Sequence, residues 1–158
     1  MSRQGKSGPV EVRVIAENRK ARHEYDIIER TEAGLVLVGS EVKSLRGGKG
    51  NIAEAFVKFV KDEAFLINAH IPHYAQAHQF NHEPRRERKL LMKRVELEKL
   101  ADKVQQKGLT IVPLRLFFKG AWVKLELGLA KGRKLHDKRH ALKERQDKRE
   151  MDRALRRR

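Results

Sequence analysis

Cysteine is absent from the 158 residues, which excludes disulfide staples, thiolate zinc sites and a cysteine nucleophile together. Packing alone must hold the fold. Aromatic residues amount to only 6%, and those in strand-like stretches alternate with aliphatic core candidates, which argues against a broad platform for stacking single-stranded bases. No apolar run approaches the roughly 18 residues that cross a bilayer. The opening Met1-Ser2-Arg3-Gln4-Gly5 also lacks the apolar stretch of a signal peptide. The expectation is a cytoplasmic chain that avoids membranes. Paired carboxylates, a Gly-x-Ser-x-Gly elbow and a Walker loop are missing too, since no Ser or Thr follows the lysine of Gly47-Gly48-Lys49-Gly50.

Acidic residues are outnumbered, 21 against 37 Lys and Arg, leaving +16. A field of that sign draws polyanions over nanometre distances, so RNA, DNA or an anionic surface is the expected partner. The length suits one domain with an extension. Residues 1–9 are small and polar and read as a flexible arm; residues 10–130 read as the folded body and 131–158 as a basic tail.

Within the body, Val10, Val12 and Val14 alternate with Glu11 and Arg13, the period of a half-buried strand that runs into Asn18–His23. Tyr25 and Ile27, a turn at Glu32-Ala33-Gly34 and an apolar Leu35–Val38 suggest a hairpin. Ser40 is placed to cap a short helix that Gly47 and Gly48 end, a plug or lid for a barrel. Residues 53–60 and 64–71 pair across Lys61-Asp62-Glu63, with Phe56, Phe65 and Leu66 directed to the core. The loop from Pro72 to Pro84 is given no regular structure.

Leu90, Leu91, Val95, Leu97, Leu100 and Val104 recur at spacings close to three and four, predicting one long helix over 86–106 that Gly108 ends. A last hairpin, 109–118 with 121–130, carries Pro113 at an edge or a bulge. About six strands and one substantial helix point to a mainly β, closed antiparallel barrel of OB-like type.

The 28-residue tail is a different material, with 13 Lys and Arg against 5 Asp and Glu, a net +8. Leu135, Leu142, Met151 and Leu155 share no helical face, so alone the tail is expected to be largely disordered. Helix is latent in it, because Pro and Gly vanish after Gly132 and Glu144–Lys148 and Asp152–Arg156 are spaced for ion pairs. Phosphates would supply the missing free energy on binding. A merely solubilising tail is the alternative.

Asn18, Arg19, Lys20, Arg22 and His23 offer phosphate contacts from the cations and base contacts from the amide and imidazole, although the same run would also serve as a plain solvated face. His70, His73, His78 and His82 follow at spacings of three, five and four, matching no standard zinc site. No metal or cofactor is expected. An RNA-processing enzyme would have to use His70, His73, His82 and Glu83; a permanent ribosomal protein is the other rival.

The blocks Asn18-Arg19-Lys20-Ala21-Arg22-His23-Glu24-Tyr25, Gly39-Ser40-Glu41-Val42-Lys43-Ser44-Leu45-Arg46, Arg86-Glu87-Arg88-Lys89-Leu90-Leu91 and Gly128-Leu129-Ala130-Lys131-Gly132-Arg133-Lys134-Leu135-His136-Asp137-Lys138-Arg139 occur in this order. In them the chain resembles the small protein B (SmpB) family, bacterial partners of transfer-messenger RNA, from Ala16 to about Glu150. The resemblance implies an OB-like barrel of six antiparallel strands with three helices. It implies a non-enzymatic monomer acting in trans-translation, binding the tRNA-like end of transfer-messenger RNA and bringing it to stalled ribosomes. Ribosomal RNA of the small subunit would be a partner, with alanyl-tRNA synthetase and elongation factor Tu as functional associates. Carried over by residue, the barrel's RNA face would comprise Asn18, Arg19, Lys20, Arg22, His23, Glu32, Arg46, Leu91 and Lys124. The helical spacing equally permits Leu91 as core. Gly132, Lys134, His136, Asp137, Lys138 and Arg139 match the tail segment that the family uses in the decoding region and empty mRNA channel.

Overall fold

The computed structural model describes residues 10–132 and 135–156. The residues assigned to a flexible arm, 1–9, lie outside that range. Seven strands form one sheet in the order β1-β6-β7-β2-β5-β4-β3, with every neighbouring pair antiparallel. They are β1 (Val12–Glu17), β2 (Tyr25–Leu35), β3 (Phe56–Val60), β4 (Glu63–Ile67), β5 (Arg88–Leu91), β6 (Thr110–Lys119) and β7 (Trp122–Gly132). Strand β3 returns against β6, so the sheet curls around one core in which Leu45, Ile52, Leu66, Leu116, Leu125 and Leu127 are at most 1% exposed. The mainly β class holds, with seven strands where six were expected, and the curled sheet is consistent with an OB-like barrel. The body helices are α1 (Arg19–Glu24), α2 (Gly39–Arg46) and α3 (Arg94–Lys107).

The spine is the β6–β7 hairpin, whose inward residues are leucines at nearly every second position. Full burial of each is worth about 1.5–3 kcal/mol. Register slips between Pro113 and Arg115, the bulge that a proline without an N–H demands in a paired strand. Gly108 closes α3 with φ 63, a left-handed cap that glycine adopts without strain. Leu97, Leu100 and Val104 pack on the core, whereas Val95 is exposed.

Several local expectations are overturned. The valine stripe of β1 faces outward, with Val10, Val12 and Val14 exposed, and after a bulge Ile15 and Ala16 meet the core instead. Alternation shows which residues share a face but not which face is buried. Residues 25–35 form one unbroken strand rather than a hairpin, because pairing with β7 continues through Glu32, Ala33 and Gly34. Residues 88–91 are strand and not the start of the long helix, since Gly34 and Leu35 of β2 take Leu91 and Leu90 as partners. Val38, not Ser40, caps α2, and the Glu41 side chain accepts from the Val38 N–H at 3.0 Å. Phe56 lies on the outward side of an edge strand at 49% exposure. The Pro72–Pro84 loop contains a short 3-10 turn, Ala75–Phe80, clasped by Asn81, whose amide bonds both the N–H and the carbonyl of Tyr74.

Where the sequence predicts a tail ordered only on a partner, residues 135–156 form a single 22-residue helix, α4 (Leu135–Arg156). The physical basis is the latent one, a run without Pro or Gly carrying acid–base pairs at helical spacing. Met151 and Leu155 on it are exposed.

Candidate nucleic-acid interface

Strand register sorts the side chains of the sheet into two faces. Ala33, Leu125 and Leu116 are direct partners and point into the core. Their sequence neighbours therefore point out. One outward row crosses five strands as Val14, Phe117, Lys124, Gly34 and Leu91. A second joins Arg115, Glu126 and Glu32, and a third joins Val12, Lys119 and Trp122. Three features expected from distant parts of the sequence, Glu32, Leu91 and Lys124, thus share one surface.

The lower end of that surface is roofed by α1. Ala21 packs on Val112, Leu114 and Ala130, with Tyr25 and Ile27 at the margin. Asn18 secures the arrangement: its Oδ1 accepts from the Ala21 N–H at 3.2 Å, its Nδ2 donates to the Pro113 carbonyl at 3.0 Å, and its backbone N–H donates to the Leu114 carbonyl at 2.8 Å. It is 6% exposed. The expected basic strand end is therefore a helix with an Asn N-cap, the preferred residue type for that position. Burial of Ala21 turns Arg19, Lys20 and Arg22 outward, while His23 is half-buried.

Electrostatically the surface is mixed and organised. Glu126 is bridged by Arg115 at 2.9 Å and Arg30 at 3.5 Å, and Glu32 by Lys119 at 3.3 Å. Lys20 reaches Glu24 at 3.9 Å one turn along α1. Among the described residues Arg19, Arg22 and Lys124 have no ion-pair partner. Those three charges are free to neutralise phosphates.

Arg46 stands apart. It ends α2 and lines a separate hollow of about 280 Å³ with Glu11, Arg13 and Phe118, beyond the β6–β7 turn. Arg13 lies over the Phe118 ring, 5.5 Å from its centre, and donates to the Arg46 carbonyl. In the tail, Gly132 closes β7 opposite Tyr25, so the strand runs two residues beyond position 130. Lys134 lies outside the described residues, and of His136, Asp137, Lys138 and Arg139 only the place in α4 is described.

The histidine loop serves the fold. His82 is buried, with Nδ1 at 2.8 Å from the Ser40 hydroxyl and Nε2 at 2.8 Å from the Ile71 carbonyl. A carbonyl only accepts, so Nε2 carries the proton and the Ser40 hydroxyl donates to Nδ1. His73 stands edge-on to that ring at 5.8 Å, and His78 is exposed on the 3-10 turn. Beside this pair Glu41, fully buried, takes hydrogen bonds from Arg86 at 2.6 Å, from Arg88 and from the Val38 N–H. Burial pushes its carboxyl up, but these donors outweigh that and hold it below the usual carboxylate range.

Sequence reasoning missed Trp122, which is 75% exposed on the outward side of β7. A signal was available: Trp122, Lys124 and Glu126 alternate with Val123, Leu125 and Leu127, and a strand that puts the second set inside must put the first outside.

Comparison with known proteins follows the same lines. Residues 15–157 match the family model described as SmpB protein. An SsrA-binding protein of Acaryochloris marina is 55% identical over 146 residues, covering 92% of this chain and 95% of that protein. One from Anaeromyxobacter sp. is 55% identical, covering 92% and 88%. A solved structure described as "tmRNA-SmpB: a journey to the center of the bacterial ribosome" matches with TM-score 0.65 at 45% identity, covering 85% of this chain and 95% of that one. By sequence and by fold alike, the chain is a member of the SmpB family.

Proposed function

We propose that this chain binds the tRNA-like domain of transfer-messenger RNA with the outward face of β1–β6–β7–β2–β5 and the roof helix α1, and carries it to stalled ribosomes in trans-translation. The observation that carries this reading is the gathering of Arg19, Arg22 and Lys124 on one side of the sheet, without ion-pair partners among the described residues, beside exposed Leu91. Phosphates would meet the cations. Glu32 and Leu91 would face bases and sugars, the division of labour by which structured RNA is held through backbone and shape. Asn18 acts behind the surface by holding α1, and His23 lies at the end of that helix. The likeness to SsrA-binding proteins supports the choice of RNA.

The chain acts by binding and not by catalysis. His82, needed by an enzymatic reading, spends both ring nitrogens inside the fold. The tail from Gly132, with Lys134, His136, Asp137, Lys138 and Arg139, enters the decoding region and the vacant mRNA channel. There its charge replaces contacts that a codon–anticodon duplex would make. Arg46, beyond the β6–β7 turn, faces ribosomal RNA of the small subunit. Alanyl-tRNA synthetase and elongation factor Tu act on the same RNA as functional associates. The chain works as a monomer in the cytoplasm; among the described residues no helix is long and apolar enough to cross a membrane.

Sequencing the RNA that copurifies with the full chain tests this reading. One dominant species with a tRNA-like end is expected. A mixture tracking total cellular RNA would overturn it.

A further inference from the structure

Trp122 and Leu91 stand on opposite sides of a groove of about 530 Å³ at the open end of the barrel, where β2 stops at Leu35. Trp122 is 75% and Leu91 52% exposed. The floor is apolar, made by Leu35, Leu37 and Val42. Gly34 belongs to it for a steric reason: a Cβ there would lie 3.3 Å from the Leu91 Cβ and narrow the slot. Lys124 lines the groove, and Lys119 is the direct cross-strand partner of Trp122. A large exposed indole beside a concave apolar floor is unusual on a soluble protein and marks a binding surface. The volume falls within the range of sites for small heterocyclic groups.

We infer that this groove takes one unstacked nucleobase, with Trp122 as its stacking partner and Lys124 on the adjoining phosphate. The inference rests on the RNA-binding reading above and adds to it a base subsite and a residue that the sequence gave no role. Charge decides the occupant: two lysines flank the indole on a chain of net +16, which favours a ligand with an aromatic face joined to an anion over an apolar peptide or a second basic copy. Geometry decides that the base is unpaired. A slot closed on two sides by Trp122 and Leu91 admits a single ring system, not a duplex, and unstacked loop bases are what proteins read in folded RNA.

Trp122 is the only tryptophan in the chain, so its fluorescence reports this groove alone. The full-length protein is titrated with transcribed transfer-messenger RNA, following indole emission and acrylamide access, while mobility of labelled RNA measures binding independently. Quenched emission and loss of acrylamide access on binding are expected. Trp122→Phe should bind within about threefold of the native chain, and Trp122→Ala about tenfold or more weakly, the scale of one lost base stack. An abasic substitution at the stacked loop nucleotide should bring native and Trp122→Ala chains to equal affinity. Binding with unchanged emission, or Trp122→Ala binding as tightly as native, would overturn the base subsite and leave the RNA-binding reading intact. Failure of the native chain to bind the RNA would sink both. Shielding of the indole that grows with protein concentration alone would assign the groove to self-association and overturn the inference.

Discussion

Replacing Asn18 with alanine removes the N-cap acceptor of α1 and the donor to the Pro113 carbonyl in one step. Loss of an Asn cap costs about 0.5–2 kcal/mol. Leaving a buried backbone partner unsatisfied adds about 1–3 kcal/mol. The backbone bond from Asn18 to Leu114 survives, so the expected total is about 2–4 kcal/mol. For a chain of this size that is a fall in Tm of roughly 5–15 °C. RNA affinity should fall as well, because Arg19, Lys20 and Arg22 lose their fixed place over β6 and β7. The dependence of log affinity on log salt should flatten by about 0.7–0.9 for each phosphate contact given up. Asn18→Asp keeps the acceptor and loses only the donor, so it should fall between alanine and native in both measurements. Chemical denaturation followed by circular dichroism, with RNA titrations at several salt concentrations, makes the comparison. Should Asn18→Ala unfold within about 0.5 kcal/mol of native and yet lose RNA binding, the amide touches RNA directly and its role as a hidden support is wrong.

Glu41→Gln should destabilise the body by about 3–5 kcal/mol in urea titrations, because it leaves the fully buried Arg88 guanidinium without its counter-charge. The native carboxyl is held below its ordinary range, so it binds protons more weakly folded than unfolded. The stability it contributes is complete above the ordinary glutamate range and disappears as pH falls through the lowered folded value. The urea midpoint of the native chain should therefore drop more steeply than that of Glu41→Gln on acidification, and parallel curves would contradict the assignment. Truncation after Gly132, which spares the last β7 pairing with Tyr25, should leave RNA affinity within a fewfold while abolishing tagging of stalled products in a reconstituted translation system; equal loss of both would refute the separation of body and tail.

Much of the interface was legible in the chain, but as pieces. The basic run at 19–23 was recognised, and so were the β6–β7 hairpin and the bulge at Pro113, because these depend on neighbours in sequence and on the missing N–H of proline. The conformation of residues 18–24 was misread, since local alternation suggested a strand end while Asn18 finds its decisive partner, Pro113, 95 residues away. Leu91 was misread for a related reason. Its spacing fits a helical stripe, yet β2 offers Gly34 and Leu35 as ladder partners, and pairing overrides a weak local preference.

By itself, the amino-acid order determined the net charge, the want of thiols, the strand-rich class, the family resemblance and the division into body and basic tail, because these are sums or short-range patterns. Which face of each strand would be buried was decided only by tertiary pairing. The period of a strand is two, so sequence sorts side chains into two sets and leaves open which set meets the core. Register with β7 settled it, sending Val10, Val12, Val14 and Trp122 outward and bringing Glu32, Leu91 and Lys124, far apart along the chain, onto one surface.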